Sequence, residues 1–98
     1  MADIKLENKV DDIIGTPKTS KVFLINDDYT TFDHVVYILT SIFGKTYAEA
    51  ESITIQIHNQ GRGLAGEYVH DVAVTKAKRV RQMSRAKGYP LAALVEKN

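Results

Sequence analysis

Cysteine is absent from this 98-residue chain. A disulfide framework and a thiolate metal site are both excluded by that absence. The composition suits a reducing cytoplasm, which is the expected compartment. An excess of either charge is missing too. Thirteen Lys and Arg stand against 12 Asp and Glu, a formal net charge of +1, so no long-range field draws the chain toward nucleic acid or an anionic membrane. No apolar run approaches the ~18 residues that span a bilayer. The opening Met1-Ala2-Asp3-Ile4-Lys5-Leu6-Glu7 carries acids where a secretory signal needs bases, and no apolar stretch follows it. Internal repeats and low-complexity tracts are lacking as well. What is present is 44% hydrophobic with charges of both signs, the make-up of a folded globular protein. A chain of this length forms one domain and buries roughly 60–70% of its unfolded surface, enough for one modest core.

Residues 1–20 alternate charged and apolar residues without a sustained period and pass through Gly15-Thr16-Pro17-Lys18-Thr19-Ser20, so they read as a flexible extension of a core domain over 21–98. The first strand is expected from Lys21 to Asn26, rich in Val, Phe, Leu and Ile. A first helix follows, with Thr30-Thr31-Phe32-Asp33 as a capping box and Val35, Leu39, Ile42 and Phe43 at helical spacing before Gly44. Thr46-Tyr47-Ala48-Glu49 is a second capping box. The far end of that second helix carries two periods at once. Ile53, Ile55 and Ile57 alternate as in a strand, while Ala50, Ile53 and Ile57 keep helical spacing. Length and the upstream cap favour a helix that ends near Gly61 or Gly63. A strand over Leu64 to Val69 comes next, then a helix from about Asp71 to Lys87 with Ala73, Ala77, Val80 and Ser84 inward, and a last strand from Leu91 to Val95. The order β-α-α-β-α-β implies an α+β sandwich, one three-stranded sheet packed on helices.

The chemistry concentrates where the first strand stops. Lys21-Val22-Phe23-Leu24-Ile25 gives way to three acceptor-rich side chains, Asn26, Asp27 and Asp28, and a helix starts at once. A strand end that presents oxygens beside a helix start suits a small cation, either a metal or an ammonium group. The second half of the signal is Ile57-His58-Asn59-Gln60-Gly61. On a helix Thr54, Ile57 and His58 share one face, whereas on a strand Ile57 and His58 would point oppositely.

Asn26-Asp27-Asp28-Tyr29-Thr30 after a strand, His58 before Gln60-Gly61, Gly66, Asp71-Val72-Ala73 with Thr75-Lys76, and Tyr89-Pro90-Leu91 together resemble the ClpS family. These are adaptors that deliver N-degron substrates to the Clp protease. The match runs over about residues 20–96, in order and spacing. The resemblance implies a ClpS-like fold, similar to the C-terminal domain of a ribosomal stalk protein. It implies a ligand that is the first residue of another protein, with a free α-amino group and a bulky side chain such as Leu, Phe, Tyr or Trp. Asn26 and His58 would accept from the ammonium and Asp28 would act directly or through water. Asp27 would support the α-amino end of the site and, with Thr30, bind nearby backbone or shape the rim. Thr30, Phe32, Val35, Thr54, Ile57 and Leu91 fall at the positions of the side-chain pocket. Phe32 and Thr54 stand where many members carry Met, so the pocket is reshaped. Asp71 and Lys76 would touch the N-terminal domain of a ClpA-type unfoldase, which works with the ClpP peptidase. The expected protein is a monomer without cofactor, metal or catalytic residue.

The residues also allow plainer readings. Asn26-Asp27-Asp28 fits an ordinary turn, and Asp71 fits a helix-capping charge with Lys76 solvated. A metal hydrolase using Asp27, Asp28 and His58 would want a second ligand-rich motif, and none is present. Lys76, Lys78, Arg79, Arg81, Arg85 and Lys87 on the third helix fit a solvated face, since no aromatics interleave there for nucleic acid. Gly61-Arg62-Gly63 lacks the Lys-Ser/Thr of a phosphate loop and reads as a turn. His34 and His70 are assigned no role. A non-catalytic interaction module of the same fold, with another partner, is the alternative function.

Overall fold

The computed structural model describes residues 18–98; residues 1–17, and with them most of the expected extension, lie outside the described residues. Six elements follow in the expected order: β1 (Thr19–Ile25), α1 (Phe32–Ser41), α2 (Tyr47–Gln60), β2 (Arg62–Val69), α3 (His70–Ala86) and β3 (Ala92–Lys97). β1 is central in a three-stranded sheet of order β2-β1-β3, antiparallel to both neighbours. It starts before the expected Lys21, so Thr19 and Ser20 belong to it, and it stops one residue before Asn26.

Ser20, Val22 and Leu24 alternate inward along β1 and meet Ala73, Ala77 and Val80 of α3, the small inner face expected from the sequence. Small side chains there let the helix lie close on the sheet. The opposite sheet face carries Phe23 between Leu64 and Leu94, which are partly exposed. The Arg62 guanidinium covers the Phe23 ring at 4.1 Å and pairs with Glu96 at 3.0 Å.

The register of β1 on β2 slips between Val22 and Phe23, because Val22 pairs with Gly66 and Phe23 with Leu64. This bulge reverses the alternation of β2: Gly63 and Ala65 face inward before it, and Gly66 and Tyr68 turn toward the interior after it. Tyr68 then folds over Gly66, where a Cβ would lie 2.5 Å from the phenol oxygen.

The helix starts refine the sequence expectations. At α1 the cap is Thr31, whose Oγ1 accepts from the His34 N–H at 3.1 Å. The expected Thr30–Asp33 box does not form, because the Thr30 hydroxyl donates to Asp27 instead. At α2 the box is made as expected: Glu49 N–H donates to Thr46 Oγ1 at 3.1 Å and Thr46 N–H donates to Glu49 Oε1 at 2.8 Å. α2 continues unbroken to Gln60 and is closed by Gly61 at φ 91°, a left-handed position that glycine adopts without penalty. Gly61-Arg62-Gly63 is therefore not a separate turn: Gly61 caps a helix and Arg62 begins a strand. β3 begins after Leu91, not at it.

Candidate functional site

The end of β1 and the end of α2 are tied together by backbone. Asn26 N–H donates to the Gly61 carbonyl at 2.9 Å, and Gly61 N–H donates to the Ile57 carbonyl at 2.9 Å. The helical period of α2 wins over the Ile53-Ile55-Ile57 alternation, so Thr54, Ile57 and His58 come to one side, facing the segment that starts at Asn26.

Between them lies a cavity of about 420 Å³ lined by Asn26, Asp27, Asp28, Thr30, Phe32, Val35, Thr54, Ile55, Ile57 and His58. Among the described residues the side chains of Asn26, Asp28 and His58 have no hydrogen-bond partner of their own. They form the polar end, and Val35 and Ile57 are buried apolar wall. Thr54 is buried as well, and its hydroxyl donates to the Ala50 carbonyl at 2.7 Å. Its polar atom is satisfied within the helix, so this wall makes no demand on a ligand. Phe32 and Ile55 are about half exposed and form an apolar lip.

Asp27 has a different part. Its Oδ1 accepts from the N–H groups of Tyr29 at 2.8 Å and Thr30 at 2.7 Å, and its Oδ2 accepts from the Thr30 hydroxyl at 2.7 Å. Burial pushes this carboxyl up, but the Thr30 amide and hydroxyl, the Tyr29 amide and the charge of Arg85 together hold it below the ordinary carboxylate value. Both oxygens are thus engaged within the loop, which leaves Asp27 little to offer a metal ion or an ammonium directly. It shapes the loop that presents Asn26 and Asp28.

Three expected placements change. Leu91 is 1% exposed, packed in the core ahead of β3, and is not among the residues lining the cavity. Lys76 is not solvated: its Nζ donates to the Ile42 carbonyl at 2.8 Å and sits 4.9 Å from the Tyr68 ring centroid. Arg85 does not point freely outward either, since it donates to the carbonyls of Tyr89 and Leu91, each at 2.9 Å. Asp71 is exposed in the first turn of α3, whose start has no side-chain cap. Ile55 is the lining residue that the sequence reading missed. Its position three residues before His58 on one helix was the available signal.

Gly63 sets the floor from behind. A Cβ there would lie 2.8 Å from Ile57 Cγ1, so only glycine lets Ile57 sit where it does. Among the described residues no helix is long and apolar enough to cross a membrane, and no three His, Cys, Asp or Glu side chains cluster as metal ligands.

Comparison with known proteins bears on this arrangement. A family model described as ATP-dependent Clp protease adaptor protein ClpS matches residues 15–94. The ATP-dependent Clp protease adapter protein ClpS of Wolinella succinogenes is 42% identical over 95 residues, covering 97% of this chain and 93% of the relative. That of Helicobacter hepaticus is 43% identical over 96 residues, covering 98% and 97%. The solved structure of Agrobacterium tumefaciens ClpS2 bound to L-phenylalaninamide is similar with a TM-score of 0.81 at 30% identity, over 84% of this chain and 99% of that one.

Proposed function

This chain belongs to the family of ATP-dependent Clp protease adaptor proteins ClpS, and from that premise we propose that its cavity receives the first residue of another protein. The ammonium group of that residue is held at the polar end by Asn26, His58 and Asp28. Its bulky apolar side chain, from Leu, Phe, Tyr or Trp, enters between Phe32, Val35, Thr54 and Ile57. The observation that carries the reading is a single hollow with unpartnered acceptors at one end and buried apolar wall at the other. A solved relative bound to L-phenylalaninamide, an amino acid amide with a free amine and a benzyl side chain, supports the same assignment.

Physical chemistry makes the two halves depend on each other. An ammonium has three donors and needs acceptors for them. Hydrogen bonds to a charged group contribute roughly 1.5–3 kcal/mol each, and burying a Leu or Phe side chain adds roughly 1.5–3 kcal/mol. Either half alone is offset by the cost of association. An internal Phe lacks the ammonium, and an N-terminal Gly lacks the side chain. His58 accepts through a ring nitrogen that carries no hydrogen, and the ligand amine donates in its protonated form.

The bound protein is then passed to a ClpA-type AAA+ unfoldase and its ClpP peptidase, which carry out the hydrolysis of nucleotide and peptide. Docking on the unfoldase N-terminal domain uses the start of α3, where Asp71 is exposed and Lys76 is half-buried close by. The adaptor acts as a monomer in the cytoplasm, with no cofactor. Calorimetric titration with a Phe- or Leu-initiated peptide, beside its N-acetylated twin, tests the reading. Binding of the free peptide and none of the acetylated one is expected, and equal behaviour of the two would overturn it. Peptides that begin with β-branched Val or Ile should bind more weakly than those with Leu; Val binding as well as Leu would show that Phe32 and Thr54 have opened the cavity.

A further inference from the structure

Behind the cavity wall, on the far side of α1, lies a buried histidine that the ligand does not need. His34 is 5% exposed. Its Nε2 is hydrogen-bonded to Ser84 Oγ at 2.9 Å, and Ser84 is fully buried on α3. The Tyr89 ring lies against the imidazole at 4.7 Å between centroids. The backbone N–H of His34 donates to the Thr31 cap at 3.1 Å. Its neighbours in sequence, Phe32 and Val35, line the cavity.

The anchor it grips is itself held. Tyr89 N–H donates to the Ser84 carbonyl at 2.9 Å, and Arg85 ties down the carbonyls of Tyr89 and Leu91. We propose that His34 is a positioning residue for the peptide cavity: by clasping Ser84 it fixes the first turn of α1, and with it Phe32, Val35 and the Thr31-capped loop, against the end of α3. This rests on the function proposed above.

Because the clasp is an imidazole, it carries a signature that an inert core contact would lack. The groups around it are Lys87 and Tyr89 from the segment that follows α3, and Asp33 and Tyr37 from α1 itself. Burial, and then the charge of Lys87, hold the imidazole below its ordinary value. The folded protein therefore favours the neutral ring more than the unfolded chain does. Its contribution is complete above the ordinary imidazole value and is lost as pH falls from that value through the lowered one. Acid then loosens the wall from behind.

The test compares wild type with His34→Ala, His34→Gln and Ser84→Ala, using a Phe-initiated peptide between about pH 7.5 and about pH 5.5. At neutral pH His34→Ala is expected to weaken binding about fivefold, the equivalent of one buried hydrogen bond. His34→Gln, whose amide reaches Ser84 without titrating, restores most of the affinity and removes part of the loss in acid. Amide resonances of Phe32 and Val35, followed in a His58→Ala background to silence that ring, move with pH when His34 is present and stay still in His34→Gln. Alanine binding as tightly as wild type, a Gln variant with the full acid loss, or still amides in wild type would each overturn the proposal. If His34→Ala fails to fold, Ser84→Ala and His34→Gln decide. If wild type ignores every peptide while those amides still follow His34, the binding function fails and the positioning role stands.

Discussion

Two corners of the molecule hold polar groups against apolar surface, and they treat them oppositely. At the Asn26–His58 corner, three acceptor-bearing side chains have no partner among the described residues and border a hollow. At the Tyr68–Lys76 corner, the ammonium of Lys76 donates to the Ile42 carbonyl at 2.8 Å, one of the carbonyls that the end of α1 leaves free, and lies over two aromatic rings, Tyr68 at 4.9 Å and Phe43 at 6.0 Å. The first corner leaves its acceptors open to the hollow, whereas the second is already part of the framework. Any contact of Lys76 with an unfoldase has to use its remaining donors while it keeps this bond. Exposed Asp71 is under no such constraint.

The sharpest way to break the contrast is to empty the open corner. Asn26→Ala combined with His58→Ala should reduce affinity for a Phe-initiated peptide by at least about a hundredfold, since two hydrogen bonds to a charged group are lost. Calorimetry reads this, and urea midpoints should barely move. Next in size is an attack from behind. Gly63→Ala forces Ile57 forward and should weaken peptide binding about tenfold and cost about 1–3 kcal/mol in stability, as overpacking does. Urea unfolding and titration together check both effects.

The framework corner should give the reverse pattern. Lys76→Ala removes a hydrogen bond and a cation–π contact, a loss of about 1–2 kcal/mol in urea unfolding, with peptide affinity unchanged. A large affinity loss would show that the two corners are coupled. The smallest effect concerns Asp27, whose folded carboxyl lies below its unfolded value. Its contribution to stability is present above the ordinary carboxylate value and disappears as pH falls through the lowered one. Asp27→Asn should flatten that limb of the stability profile, measured by urea unfolding across acid pH.

The same contrast explains what could be read from the residues alone. Element order followed from caps and spacing: the Thr46–Glu49 box and Gly61 bracket α2 and overrule the Ile53-Ile55-Ile57 alternation. The acceptors at the end of β1 and His58 were visible as a pattern, because exposed polar groups with no local partner stand out in sequence. Satisfied groups do not. Lys76 finds a carbonyl 34 residues away and Arg85 finds one past the end of its own helix, so both read as solvent-facing charges. Asp27 was expected both at the α-amino end and, with Thr30, on nearby backbone; the structure shows the backbone role, with the amides of Tyr29 and Thr30 bonded to its Oδ1. Taking the Thr30 hydroxyl as well, Asp27 moved the cap of α1 to Thr31. Leu91 was expected in the pocket from its own matched position, whereas the chain packs it in the core before β3 begins and it is not among the lining residues. The bulge beside Gly66 has no signature that alternation could reveal, since it is a change of phase between strands.

The bond from Asn26 N–H to the Gly61 carbonyl has a consequence for how this receptor can vary. Both partners are main chain, so replacing the side chain on either jaw leaves the strut between them standing. Only an imino acid at position 26 would delete the donor. Ligand preference can therefore drift through the lining residues while the separation of the jaws is inherited unchanged.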